Sequence, residues 1–295
     1  MKQVDKWKRG LPYVGNKGQK AEKIIDILPA GHRLIDIFGG GGSISLTAAS
    51  SGKWDEVVYN DRRKTVVNLL KALIEDNPHF DLMKYVYMDR ETFYNWRDNV
   101  PDSLERTLVL TVWSFSNDLR SYLWGKKIEK EKLQLTRALF WGDTGTEFDQ
   151  LYSYSLNANT ISEKYRLFHK WRRDNYRFDL PRRIQQLEQL QQLERIQQHE
   201  LLEPIKYSSI DYRLLDVKPN DIVYCDPPYI GTSKDYGGFD NDAFRKWLAN
   251  CPAKQIYISE YTQIPNTDVA LNLGKKQSLQ ALGKRPDELL LKYIK

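Results

Sequence analysis

The stretch Asp221-Ile222-Val223-Tyr224-Cys225-Asp226-Pro227-Pro228-Tyr229 constrains the fold of this chain more than any other. Its first five residues are a short β-prone apolar run, bounded by Pro-Asn before it and Pro-Pro after it, as in a central parallel strand. Neither proline has an N–H to donate, so the backbone must leave the sheet at Asp226 as a stiff, extended elbow. Open α/β sheets bind ligands at the carboxyl ends of their strands, where this elbow would present a carboxylate, bare carbonyls and a ring. The alternative reading is a rigid strand exit whose aspartate only caps the turn.

Two upstream features fit a sheet of this kind. Arg33 to Ile37 reads as a strand followed at once by Phe38-Gly39-Gly40-Gly41-Gly42-Ser43, a turn that lets backbone approach a ligand closely before a helix begins near Ser43. It is neither Gly-x-Gly-x-x-Gly nor a Walker loop. A second strand, Glu56 to Tyr59, ends in Asn60-Asp61, 25 residues after Asp36. An acid at that tip can accept the ribose hydroxyls of a bound adenosine.

With 41% hydrophobic and 28% charged residues, the chain is of globular composition and long enough to bury a sizeable core. There is no long apolar run, and Met1 to Gly10 is charged throughout, which predicts neither a membrane span nor a signal peptide. Two cysteines, Cys225 and Cys251, argue by count against a disulfide framework and fit a reducing cytoplasm. The four histidines lack ligand spacing, so no metal is expected. Net charge is +6 with a pI near 9.0, which favours a polyanionic partner. Lys164 to Arg183 alone carries eight basic residues against two acidic ones, interleaved with Tyr165, Phe168, Trp171, Tyr176 and Phe178. Cations can hold phosphates while rings stack on bases, although a solvated helix with an aromatic core face has the same composition.

Asp226-Pro227-Pro228-Tyr229 resembles the catalytic motif of the D12-class, Dam-like DNA adenine-N6 methyltransferases, which use S-adenosylmethionine. A given string of this type arises by chance in on the order of one chain of this length in a thousand. Phe38 to Ser43 resembles the family's first motif, with Asp36-Ile37 where many members carry Glu-Pro, and Asn60-Asp61 matches as well. Tyr13-Val14-Gly15-Asn16-Lys17 is similar to an N-terminal aromatic-x-Gly-x-Lys element, and Lys284 to Tyr293 to a terminal Glu-Leu-Leu segment. The resemblance implies a Rossmann-like class I α/β sheet that binds S-adenosylmethionine through Tyr13, Lys17, Asp36, Phe38, Gly39, Gly40, Gly42, Ser43, Asp61, Asp211, Tyr212 and Asp226. Within that set Tyr13 would pack on the cofactor, Lys17 hold its methionine carboxylate, and Asp211, ending a strand over Tyr207 to Tyr212, accept its adenine amino group. Asp226, Pro227, Pro228 and Tyr229 would act on an adenine flipped from double-stranded DNA.

From Thr65 to about Leu180 helical periods replace the sheet pattern. The expected organisation is therefore a catalytic domain of residues 1–64 and 181–295 with an inserted, mostly helical DNA-recognition domain of residues 65–180. Arg120, Lys126, Lys127, Arg172, Arg173 and Arg177 are its candidate DNA contacts. Leu180 to Glu200 reads as a long helix returning the chain to the sheet, or else as a dimer helix; a monomer is expected. Two other readings stay open: adenine methylation in RNA, and a DNA-binding protein with a silent core. Aspartate at the head of the motif counts against glutamine-directed and cytosine-N4 enzymes. A bacterial or phage-encoded cytoplasmic protein is expected, with its recognition sequence undetermined.

Overall fold

The computed structural model describes residues 10–13, 15–75, 81–198, 201–230, 239–275 and 287–295. The charged leader and Lys284 to Pro286 of the terminal segment lie outside them. The chain divides into two compact units, one of Met1–Arg9, Asn16–Val67 and Glu200–Lys295, the other of Gly10–Gly15 and Asn68–His199.

The first unit is built on a seven-stranded sheet in the order β3-β2-β1-β4-β5-β7-β6. The strands are β1 (Gly31–Asp36), β2 (Trp54–Asn60), β3 (Ile205–Ser208), β4 (Ile222–Cys225), β5 (Gln255–Glu260), β6 (Thr267–Lys275) and β7 (Asp287–Tyr293). The first five pair in parallel; β7 is antiparallel to both β5 and β6. β4 is buried along its whole length, as its apolar run demands. With Ile35, Ile256, Ile258 and Leu291 it forms a core closed by Phe244 and Leu248 of α10 (Asn241–Asn250). Each such chain, at 0–3% exposure, stabilises the fold by about 1.5–3 kcal/mol. The chain winds outward from β1 through β2 to β3, then restarts at β4 on the other side of β1. The reversal opens a crevice at the carboxyl ends of β1 and β4, which is where the glycine turn and the elbow leave the sheet.

β3 ends earlier than the expected Tyr207 to Tyr212. Beyond Ser208 the side-chain amide of Asn60 takes over the ladder, donating to the Ile210 carbonyl and accepting the Ile210 N–H. Asp211 then caps a 3-10 turn, Tyr212–Leu214, through the Arg213 N–H. α2 (Ser43–Ala49) packs on β1 and β2, α1 (Ala21–Ile27) packs on α2 and reaches β6, and α3 (Lys64–Glu75) leads out of this unit.

The second unit is helical: α4 (Arg90–Asp98), α5 (Leu104–Trp113), α6 (Lys126–Phe140), α7 (Gln150–Ser155), α8 (Ile161–Asp174) and α9 (Gln185–Gln197). Asp89 and Ser103 cap α4 and α5, and Thr160 with Glu163 forms a capping box that starts α8 as a helix separate from α7. α9 differs from expectation. It belongs with the helices, not with the sheet, burying Leu187, Leu190, Leu193 and Ile196 against neighbours that include α5 and α8. No helix of the described residues is long and apolar enough to cross a membrane.

Candidate active site

Backbone geometry sets the glycine turn. A Cβ on Gly39 would stand 2.2 Å from Cε2 of Tyr59, a ring with no exposure, so only glycine fits between β1 and β2. The Tyr59 hydroxyl donates to the Gly40 carbonyl at 2.7 Å, and Gly39 N–H donates to the Asn60 carbonyl at 2.8 Å. Gly42, the residue before α2, has φ 76°, which a side chain would oppose. Asp61 braces the loop from β2: one carboxylate oxygen accepts Gly40 N–H at 3.0 Å, the other Arg63 N–H at 2.8 Å. Burial pushes its pKa up against those two donors. Ser43 accepts Lys17 N–H at 3.1 Å and donates to Asn16 Oδ1 at 3.0 Å, which fastens the N-terminal segment to the turn.

That fastening brings Lys17 to the elbow. Its ammonium lies 2.6 Å from Asp226 Oδ2 and 3.4 Å from Glu288 Oε1. Burial works against the charged ammonium, but the two carboxylates outweigh it and hold the Lys17 pKa above its ordinary value. Asp226, 18% exposed as a side chain, has its pKa raised by burial, with Lys17 acting in the opposite direction. Its Oδ1 accepts no hydrogen bond among the described residues. Tyr229 donates its hydroxyl to Glu288 Oε1 at 2.8 Å, meets Tyr261 edge-on at 4.5 Å, and lies 5.1 Å from the Lys17 ammonium. Asp36 is 1% exposed beneath the turn. Ser45 donates to its Oδ2 at 2.7 Å while its Oδ1 has no partner among the described residues, and burial, with Asp226 and Asp61 adding, lifts its pKa to about 7.

Phe38, Tyr212, Phe239 and Phe244 form a ring cluster with centroids 5.2 to 5.7 Å from Phe38. The Asp211 carboxylate is already held by Arg213 Nε at 2.8 Å and Nη2 at 2.5 Å, which lowers its pKa to about 2. The sheet unit thus gathers Lys17, Asp36, Phe38, the glycines, Ser43, Asp61, Asp211, Tyr212 and the elbow; Tyr13 falls with the helical unit.

Two buried acids were not foreseen as site residues. Glu288 of β7, 3% exposed, also takes the Lys20 ammonium at 2.9 Å. Burial alone would raise its pKa, yet the two lysines and Tyr229 bring it below the ordinary value. Glu260 at the end of β5 accepts Ile230 N–H at 3.1 Å and Tyr261 N–H at 2.7 Å, and so clamps the far side of the elbow. Glu288 lies in the segment of terminal resemblance, which was its one signal.

In the helical unit Arg120, Lys126, Lys127 and Arg173 are exposed. Arg172, expected on that surface, is instead 7% exposed and turned inward, donating to the Leu180 and Phe178 carbonyls at 3.2 Å. Arg177 is paired with Glu147 at 3.1 Å and Asp179 at 3.2 Å. No group of three or more potential metal ligands gathers among the described residues.

A mixed sheet of this strand order, parallel but for β7, with a glycine turn after β1, an acid at the tip of β2 and an Asp-Pro-Pro-Tyr exit from β4, defines a class I methyltransferase fold. The chain belongs to the D12 class N6 adenine-specific DNA methyltransferases, whose family model matches residues 13–248. It is also similar to the Type II methyltransferase M2.HphI of Haemophilus parahaemolyticus, at 25% identity over 244 residues, 77% of this chain and 68% of that protein. The protein is therefore an adenine-specific DNA methyltransferase.

Proposed function

We propose that the enzyme transfers the methyl group of S-adenosylmethionine to N6 of an adenine flipped out of duplex DNA, at a site made by Lys17, Asp36, the glycine turn, Asp61 and the 226–229 elbow. The observation that carries this reading is the state of Asp226. One carboxylate oxygen is held by an ammonium, and the other is buried without a hydrogen-bond partner among the described residues. A buried acceptor left unmatched costs about 1–3 kcal/mol, and the adenine amino group is a donor suited to match it. The residues also fit the cofactor. It brings an ammonium and a sulfonium, cations that suit the buried Asp36 carboxyl, whose Oδ1 has no hydrogen-bond partner among the described residues, beside a turn where a Cβ on Gly39 would collide with Tyr59.

When bound, S-adenosylmethionine supplies a methyl group already activated toward nucleophiles. The chain's own contribution is to position and polarise the adenine. N6 is a weak nucleophile because its lone pair is delocalised into the ring. Hydrogen bonds from the amino group to Asp226 Oδ1 and the Pro227 carbonyl favour a pyramidal nitrogen with its lone pair free. The N–C bond forms as the methyl–sulfur bond breaks, with the neutral thioether S-adenosylhomocysteine as leaving group; the nitrogen becomes cationic and gives up a proton, and the carboxylate of Asp226, its basicity raised by burial, accepts it. Lys17 keeps that carboxylate ionised until then. Tyr229, fixed by Glu288 and Tyr261, is the ring on which the extruded base stacks, which offsets part of the few kcal/mol that flipping costs.

Asp226→Ala tests the assignment. It is expected to bind S-adenosylmethionine in calorimetry while methyl transfer to duplex DNA falls by about 1000-fold or more. Methylation at near wild-type rate would remove Asp226 from the reaction.

A further inference from the structure

The C-terminus of α8 carries a residue that its backbone does not favour. Tyr176 N–H donates to the Arg173 carbonyl at 3.1 Å and Arg177 N–H to the Arg172 carbonyl at 2.8 Å, the paired bonds of a Schellman cap. The residue between them takes a left-handed conformation, where glycine is usual and a Cβ is penalised; Tyr176 has φ 54°. α6 ends nearby in sequence with glycine in that role, Gly142 at φ 70°. A bulky side chain kept at such a position is explained by packing or by use. Packing does not explain it, because Tyr176 is 82% exposed and its ring touches no other ring among the described residues.

The same helix leads a row of cations to this ring. Arg166, Lys170 and Arg173 are spaced i, i+4 and i+7, opposite the buried face of Ile161, Tyr165, Phe168 and Arg172. All three are exposed and none forms an ion pair among the described residues. The row spans about 10 Å, enough for about three phosphates of one strand. Next to Tyr176, Phe178 is 62% exposed with the Arg172 guanidinium 5.3 Å behind its ring.

We propose that this ridge is a contact for the backbone of the duplex substrate, with Arg166, Lys170 and Arg173 on phosphates and Tyr176 projecting against the nucleotides beside them. The proposal rests on the reading of duplex DNA as substrate. It moves the contact away from Arg172 and Arg177, which the fold uses internally, and onto exposed residues with no ion-pair partner among the described residues, of which Lys170 lies 5.6 Å over the Tyr154 ring.

The test uses full-length enzyme with S-adenosylmethionine, a labelled duplex and binding measured across a salt series. Tyr176→Gly relieves the backbone, so its melting temperature should hold or rise by a few degrees while the duplex Kd weakens about tenfold and cofactor affinity stays the same. The combined Arg166→Gln, Lys170→Gln and Arg173→Gln variant should reduce the slope of log K against log salt by about 2.7. A lower melting temperature for Tyr176→Gly would make the ring structural and overturn its role. An unchanged Kd and slope in variants of an enzyme that still methylates duplex DNA would overturn the ridge alone. Failure of the unaltered enzyme to bind any duplex would overturn the substrate reading, and the ridge with it.

Discussion

Replacing Lys17 by methionine removes one charge and little volume from the centre of the site. The ammonium is 2.6 Å from Asp226 and 3.4 Å from Glu288, but the two acids depend on it unequally. Glu288 keeps Lys20 at 2.9 Å, whereas Asp226 loses its one ion-pair partner among the described residues. A pair of unit charges about 4 Å apart is worth about 4 kcal/mol at an effective dielectric constant of 20. Removing one member of a buried pair costs about 3–5 kcal/mol. Burial already raises the Asp226 pKa and Lys17 opposes that rise, so Lys17→Met must raise it further. The proposed mechanism requires the ionised carboxylate, so on that mechanism the rate falls on the acid side of that pKa. Because each pH unit corresponds to about 1.4 kcal/mol, even a third of the Coulomb figure moves the acid limb upward by about one pH unit. Single-turnover methylation at saturating cofactor, measured from acid to alkaline pH for the wild type, Lys17→Met and Lys17→Arg, reads this directly. Lys17→Met should recover activity as pH rises, and Lys17→Arg should stay near the wild-type profile. An unmoved limb together with a large loss of cofactor affinity would refute the reasoning and return Lys17 to the methionine carboxylate, as the family resemblance implies.

Asp36, with its pKa lifted to about 7 in the fold, holds a proton that the unfolded chain gives up near pH 4. Stability should therefore fall as pH rises from about 4 to about 7. Asp36→Asn should remove that slope and raise the melting temperature at pH 8, by up to about 4 kcal/mol in free energy, while weakening cofactor binding; thermal melts at two pH values suffice. Gly39→Ala forces the buried Tyr59 ring to move and should cost about 1–3 kcal/mol in chemical denaturation along with cofactor affinity. A variant as stable as the wild type would show that the ring yields freely.

The parts of this site that can be read from sequence are those where one residue type is physically forced. Two prolines can only end β4, four glycines can only mark a close approach, and Asp61 is placed by its position at a strand tip. Glu288 and Glu260 were not legible. An acid in an alternating strand reads as a solvent-facing position, and only the insertion of β7 between β5 and β6 buries Glu288 beside two lysines. Arg172 could have been placed correctly: it is four residues after Phe168 and seven after Tyr165, on the apolar face of α8. Composition treats every arginine of that helix alike, whereas helical phase separates them. α9 escaped because leucines three apart drift around the helix and mark no single face, leaving its partner to tertiary packing.

β1 has β4 as its neighbour in the sheet, and the residue paired with Asp36 is Tyr224, made 188 positions later. At bacterial-like rates of about 5–20 residues per second, a ribosome takes about 10–40 s to cover that distance. Throughout that interval the strand carrying the glycine turn has one edge without its partner, while the whole of the helical insertion emerges and is able to fold. A nascent chain of this design is thus open to edge-to-edge association during translation, and its yield should depend on chaperones and elongation speed more than that of a protein whose central strands are adjacent in sequence.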